Sequence, residues 1–185
     1  MTPQCCLVTE SSWDETLLRC VLSSEISTGQ VMTISSPGSA AAASTARSFL
    51  VVKKMPVALV VDSDVLEDDA VNEKRTFLEN ALRPYSAGIE FLVLAVVPEI
   101  ESCFFENPAF LEAVGLPTPD AVTAERARYR PKQVLNELLE IKQKDRRSMK
   151  WISELPVSAI EILREVTPFK ELVEFIQNYV FISTK

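Results

Sequence analysis

The sequence predicts an α/β fold: a mostly parallel sheet of about four strands with helices on both faces, followed by a helical extension. Three observations point there. Short β-prone apolar runs alternate with helix-forming stretches up to about residue 112. Those runs are apolar at nearly every position, as in strands buried on both faces by crossover helices. After Gly115 the composition shifts to a Pro/Thr-rich connection and then to helical patterns alone. We therefore expect an α/β core over residues 1–115 and a helical extension over 116–185 packed on it.

Gln4–Thr9 (QCCLVT) reads as the first strand, broken by Glu10-Ser11-Ser12. Trp13–Leu22 continues as a helix with Leu17, Leu18, Val21 and Leu22 inward. Val31–Ile34 is the second strand, closed by Ser35-Ser36-Pro37-Gly38-Ser39. Ala40–Leu50 is a helix of small residues able to pack closely on a sheet. Val57–Val61 is the third strand, Asn72–Leu82 a charged amphipathic helix, and Ile89–Val97 the fourth strand. Beyond Leu116–Ala124 (LPTPDAVTA), Pro131–Ile152 reads as one long helix with Val134, Leu135, Leu138 and Ile141 on one side. Thr167-Pro168 supplies a cap and a first-turn proline for a last helix, Phe169–Phe181.

The 185 residues suffice for one domain with a sizeable core. No apolar run reaches the ~18 residues of a membrane span, and Met1-Thr2-Pro3 opens unlike a signal peptide. A cytoplasmic protein is expected. Cys5, Cys6, Cys20 and Cys103 lie mostly in apolar surroundings without C-x-x-C spacing, which points to buried thiols rather than zinc or disulfides. There is no histidine. Ser-His-Asp and Cys-His catalysis are thereby excluded, together with the commonest transition-metal ligand. A net charge of −7 argues against phosphate binding by bulk electrostatics, though a local basic face remains open.

Ligands of parallel sheets bind at the carboxyl ends of the strands. Three of the four strands here end in acids: Glu10, Asp62 with Asp64, and Glu99 with Glu101. In VALVVDSDVLEDD (57–69) a buried run meets two aspartates one residue apart. Crowded carboxylates repel, which raises a pKa or recruits a cation. Mg²⁺ suits such a place because it takes oxygen ligands and keeps waters for substrate phosphates. The alternative makes Asp62 a turn cap and leaves the other acids solvated. Glu67, Asp68 and Asp69 read as a solvated loop and helix start. On a helix opening at Pro98, a step of about 100° per residue puts Glu101 between Phe104 and Phe105. An acid there is costly unless paired or metal-bound, so Glu101 is preferred to Glu99, although both could cap that helix. Asp14 reads as an acid at the start of the first helix, where it suits the dipole, with a place in the site as the alternative.

The order of these residues resembles the Toprim domain of primases, topoisomerases and OLD-type (overcoming-lysogenization-defect) nucleases. Leu7-Val8-Thr9-Glu10-Ser11-Ser12-Trp13-Asp14 is similar to the Toprim start, and Val60-Val61-Asp62-Ser63-Asp64 to its D-x-D strand. Ser36-Pro37-Gly38-Ser39 stands at the intervening small-residue loop. Pro98-Glu99-Ile100-Glu101 with Cys103-Phe104-Phe105 resembles an element of small Toprim proteins linked to phage defence. The resemblance covers residues 5 to about 112. It implies that Glu10 is an acid–base or metal-bridging carboxylate and that Asp62 and Asp64 are Mg²⁺ (or Mn²⁺) ligands, with Glu101 completing the set. Ser11 replaces the family's glycine; if that position needs φ > 0, serine strains the turn and degrades the site.

Nine of the nineteen Lys and Arg residues fall between 126 and 150. Arg126, Arg128, Arg130, Arg146, Arg147 and Lys150 are the candidate nucleic-acid contacts, with Arg126-x-Arg128-x-Arg130 alternating as an extended segment would. The same run could equally be an exposed helix paired with Glu137, Glu140 and Asp145. The favoured function is a Mg²⁺-dependent Toprim-like nuclease acting on DNA or RNA in phage defence. No Walker sequence occurs, so any ATPase would be a separate partner chain; self-association is left open. The alternative is a catalytically weak Toprim-like module that binds a partner protein. A receiver-like metal protein or small phosphate-ester hydrolase is a third reading, disfavoured because no lysine follows a fifth strand.

Overall fold

The computed structural model describes residues 2–142 and 148–180. The first half of the chain runs β1 (Cys5–Thr9), α1 (Ser12–Val21), α2 (Ser23–Ser27), β2 (Val31–Ser35), α3 (Ser39–Ser48) and β3 (Val57–Asp62). It continues with α4 (Asp68–Ser86), β4 (Phe91–Val96), α5 (Cys103–Glu106) and α6 (Pro108–Ala113). The remainder is helical: α7 (Ala121–Tyr129), α8 (Pro131–Lys142), α9 (Ser148–Ser153), α10 (Val157–Arg164) and α11 (Thr167–Val180). A π-helical turn, Phe49–Lys53, ends α3, and a 3-10 turn, Ile100–Ser102, precedes α5.

The four strands form one sheet in the order β2-β1-β3-β4, every pair parallel. This is the parallel α/β architecture that the apolar strand runs imply. Alternation along each strand divides the core. Cys6, Val8, Val57, Leu59, Val61 and Val93 face α3 and α4, where Ala42, Ala43 and Ala46 permit the close approach. Cys5, Leu7, Ala58, Val60, Leu94 and Val96 face the other way. That second layer joins α1, α5 and α6 with residues from α7 to α11 in a single buried cluster. All four cysteines are free thiols; Cys5, Cys6 and Cys103 are buried and Cys20 is half-buried.

The structure differs from the sequence expectation in two places. Arg126, Arg128 and Arg130 do not lie on an extended segment. Asp120 Oδ1 accepts the Thr123 N–H at 2.7 Å and caps α7, which runs to Tyr129. The second is α4, which runs from Asp68 to Ser86, beyond Asn72–Leu82 at both ends, with Pro84 in its last turn. The described parts of the expected helix Pro131–Ile152 are helical, as α8 and α9, and residues 143–147 lie outside them.

Aromatic packing fixes the layer behind the sheet end. Phe104 stacks on Phe110 (centroids 4.8 Å) and meets Trp13 and Trp151 edge-on at 6.0 and 5.8 Å. These contacts hold α1, α5, α6 and α9 as one block under the 3-10 turn that carries Glu101.

Candidate metal centre

The register that pairs Thr9 with Val60 and Asp62 with Val96 brings the carboxyl ends of β1, β3 and β4 to one edge. Two hydrogen bonds link them there. The Asp62 N–H donates to Glu10 Oε1 at 3.3 Å, and the Ile100 N–H donates to Asp62 Oδ1 at 2.8 Å. The loop after β3 is also tied to the loop after β4. The Ser63 N–H donates to the Val96 carbonyl at 2.7 Å and the Asp64 N–H to the Pro98 carbonyl at 2.9 Å.

Ser11 has φ −145° and ψ 157°, an extended conformation open to any residue. The strain expected of a serine in the glycine position is therefore absent. Its hydroxyl instead accepts the Asp14 N–H at 3.1 Å and caps α1. The cap directs α1 so that Asp14, in its first turn, is only 6% exposed.

The electrostatics follow from this convergence. Burial pushes the Asp62 carboxyl up to about 8, and the charges of Asp14, Glu101 and Glu10 add to it against the Ile100 N–H. Glu101, 1% exposed, is pushed up to about 7 by burial; Lys132 opposes, while Glu99 and Asp14 reinforce. Burial also raises Glu10, opposed chiefly by the Asp62 N–H and reinforced by Asp14. Asp14 is raised by burial against the Ser11 hydroxyl and Lys132. These four carboxyls form an electrostatic unit, and each holds its proton more tightly than an ordinary acid does.

Lysines flank the unit. From the first turn of α8, Lys132 places Nζ 3.6 Å from Glu101 Oε1, and its N–H donates to Glu99 Oε2 at 3.4 Å. Burial would discharge its ammonium, but Glu101, Glu99, Asp62 and Asp14 keep it charged. Lys74, on α4, binds Asp64 Oδ2 at 2.6 Å and the Ser63 carbonyl at 3.3 Å.

Of the acids picked out in the sequence, Glu10, Asp62 and Glu101 are brought together. Asp64 stands apart. It takes a left-handed turn (φ 62°), its side chain is 69% exposed, and Lys74 holds it outward. Glu99 borders the group. Asp14, for which the sequence leaves both a helix-start and a site role open, joins the group, and Lys132 is the addition, one basic residue among many in the sequence. The charge of Asp14 at residue 14 was visible, whereas nothing local relates residue 132 to residue 101.

The donor set is all carboxylate oxygen, which suits a hard divalent cation. Glu101 Oε2 is buried without a hydrogen-bond partner among the described residues, leaving an acceptor that a cation could satisfy. Glu10, Asp62 and Glu101 are the residues that would hold it. Among the described residues no three acidic side chains are already drawn to coordination distance. The carboxyls are gathered within electrostatic reach, and a cation would have to draw them closer.

The basic candidates are mostly spoken for. Arg126 pairs with Glu137 at 2.6 Å, Arg128 with Glu125 at 3.4 Å and Lys150 with Glu154 at 3.8 Å. Arg130 is exposed and joins no ion pair among the described residues. Arg146 and Arg147 lie outside them.

No family model and no curated protein matches the sequence. Solved structures do. The C-terminal region of the Burkholderia pseudomallei OLD protein superposes with a TM-score of 0.56 at 13% identity, over 96% of this chain and 98% of that one. The C-terminal region of the Xanthomonas campestris pv. campestris OLD protein gives 0.50 at 11% identity, over 98% and 97%. At such identities the likeness is one of fold: from end to end, the chain has the Toprim-like fold found in the C-terminal region of OLD proteins.

Proposed function

We propose that the chain is a Toprim-like nuclease that hydrolyses phosphodiester bonds of DNA or RNA using Mg²⁺ or Mn²⁺ at Glu10, Asp62 and Glu101. The observation that carries this reading is the convergence of Glu10, Asp62 and Glu101 at adjoining strand ends, where Asp62 is tied to Glu10 and to the Ile100 N–H and Glu101 Oε2 is buried without a hydrogen-bond partner among the described residues; the crowding raises the Asp62 carboxyl. At neutral pH such a group costs the fold stability, and an adjacent divalent cation would turn the repulsion into binding.

A bound cation would make a water more acidic and take up charge on the leaving oxygen. The chain's own residues do the rest. Glu10, half-buried and oriented by the Asp62 N–H, accepts the proton of the attacking water as the water oxygen bonds to phosphorus. The phosphorus–oxygen bond to the leaving strand then breaks, and that oxygen takes a proton from solvent. Lys132, with Nζ 3.6 Å from Glu101 Oε1, offers a positive charge to the phosphoryl oxygens. Asp64 joins the ligands if Lys74 releases it. The family resemblance supports a cytoplasmic role in phage defence with an ATPase supplied outside these residues.

Lys132 also favours a second reading. Its ammonium already offsets Glu101, so the site could be neutralised without metal and the chain serve as a catalytically weak module docking a partner protein. Thermal melting of the full chain with and without Mg²⁺ or Mn²⁺ separates the two. Metal bound to the native state alone raises the midpoint by mass action. The nuclease reading expects that rise, together with metal-dependent cleavage lost in Asp62→Ala and Glu10→Ala proteins that still melt cooperatively. A metal-independent melt without cleavage leaves the docking module.

A further inference from the structure

We propose that Tyr129 and Arg130, at the corner between α7 and α8, form a subsite for an unpaired nucleotide of the strand that the carboxylate centre would cut. This rests on the nuclease reading. The helix α7 ends at Tyr129, and Arg130 (φ −143°, ψ 60°) turns the chain into Pro131 and α8. The corner forms a ridge between two clefts, of about 580 and 290 Å³, that share Tyr129, Arg130 and Gln133. The larger has Glu99 and Lys132 in its wall, and Lys132 Nζ is the atom that reaches Glu101. Lys132 therefore lies both in the wall of this cleft and against the proposed centre.

The chemistry of the corner selects the ligand. Tyr129 is 59% exposed, an aromatic face left open to solvent. Arg126 and Arg128 are held by Glu137 and Glu125, whereas Arg130 engages no carboxylate among the described residues. An open ring beside an uncommitted guanidinium matches one nucleotide: the base stacks on the ring and the phosphate meets the cation. Asn136, in the same cleft, offers an amide donor and acceptor to a base edge. A duplex keeps its base faces stacked and cannot use the ring, so the subsite takes a single strand, a flap or a frayed end.

Equilibrium binding of the full chain to short end-labelled oligonucleotides tests this, with Ca²⁺ replacing Mg²⁺ to suppress turnover. The probes are single-stranded DNA, single-stranded RNA of the same sequence, and duplex DNA. Wild type should prefer a single strand, and Tyr129→Ala should weaken that binding by about five- to a hundredfold, the range of one lost stack. Tyr129→Trp should retain it, and Arg130→Gln should flatten the salt dependence by about 0.7 in the log–log slope, one phosphate's worth. Whichever single strand responds to Tyr129→Ala identifies the substrate as DNA or RNA. Tyr85→Ala, at an exposed tyrosine on α4, should change nothing. Wild-type binding that survives Tyr129→Ala, or falls equally on duplex and single strand, overturns the subsite while leaving the nuclease reading intact. A wild-type chain that binds no strand overturns both.

Discussion

Asp62 concentrates the cost of the proposed centre in one side chain. Burial and three neighbouring carboxyls hold its pKa at about 8, well above the ordinary 3.8. Between those values the folded state keeps a proton that the unfolded chain has lost, so this group's contribution to stability is present below pH 3.8 and lost as pH rises through about 8. Asp62→Asn has no proton to lose. In EDTA at pH 8 the variant should melt higher than wild type by about 2–4 °C, taking at least about 1 kcal/mol, the worth of one pKa unit, as the gain. The advantage should shrink toward pH 4, and added metal should reverse the order because only wild type can bind it. An Asp62→Asn protein no more stable than wild type at pH 8 would mean that the carboxyl is relaxed. At this scale the sequence was informative where a strand ended: Glu10, Asp62 and Glu101 are legible as acids following buried runs. Asp14 was visible but ambiguous, since an acid in a first helical turn needs no further explanation. Lys132 was illegible as a site residue because its meaning comes from α8 docking against the 3-10 turn, a contact across about thirty residues that no local spacing encodes.

Among the elements, α2 shows how the chain ties its helices together. Glu25 is 1% exposed and receives Arg164 of α10 at 2.7 and 3.1 Å, Gln177 of α11 at 3.0 Å and the Ser24 hydroxyl at 2.7 Å. Burial would raise its pKa, but Arg164, Ser24 and Gln177 outweigh burial and bring it down to about 2. A carboxyl depressed in the folded state stabilises fully above its ordinary 4.5 and loses that contribution as pH falls toward 2. Arg164→Met removes the cation and leaves Glu25 buried without a counter-charge, a loss of about 3 kcal/mol. Melting at pH 7 should fall by about 6–12 °C, and the deficit should narrow below pH 4, where the orphaned acid can protonate. Adding Glu25→Gln to Arg164→Met should recover part of it. A single variant that melts with wild type at neutral pH would show the clamp to be dispensable. Nothing in Ser23–Ser27 marks Glu25 as different from the surface acids around it. Its role is written by two helices more than a hundred residues away.

At the scale of the molecule, the helices after Gly115 complete the sheet rather than decorate it. One face of β1, β3 and β4 is closed by α3 and α4, and both helices belong to the first half of the chain. The other face shares a single buried cluster with Leu116, Ala127, Val134, Leu135, Ile152, Leu163, Phe169, Leu172 and Ile176. The parallel sheet was readable from its strands because an apolar run buried on both faces announces that two layers must cover it. Which later helices supply the second layer was not readable, since each amphipathic face is satisfied by any apolar partner. A chain ending at Gly115 should therefore keep α1, α5 and α6 but lose the rest of its second layer, leaving much of that apolar cluster open to water. Apolar exposure on that scale favours a collapsed state without fixed packing. The truncated chain should bind ANS, lack a cooperative thermal transition and show no metal-dependent shift, since without fixed packing Glu10, Asp62 and Glu101 are no longer held together. A sharp melt with little dye binding would instead establish residues 1–115 as an independent domain and reduce the later helices to an attachment.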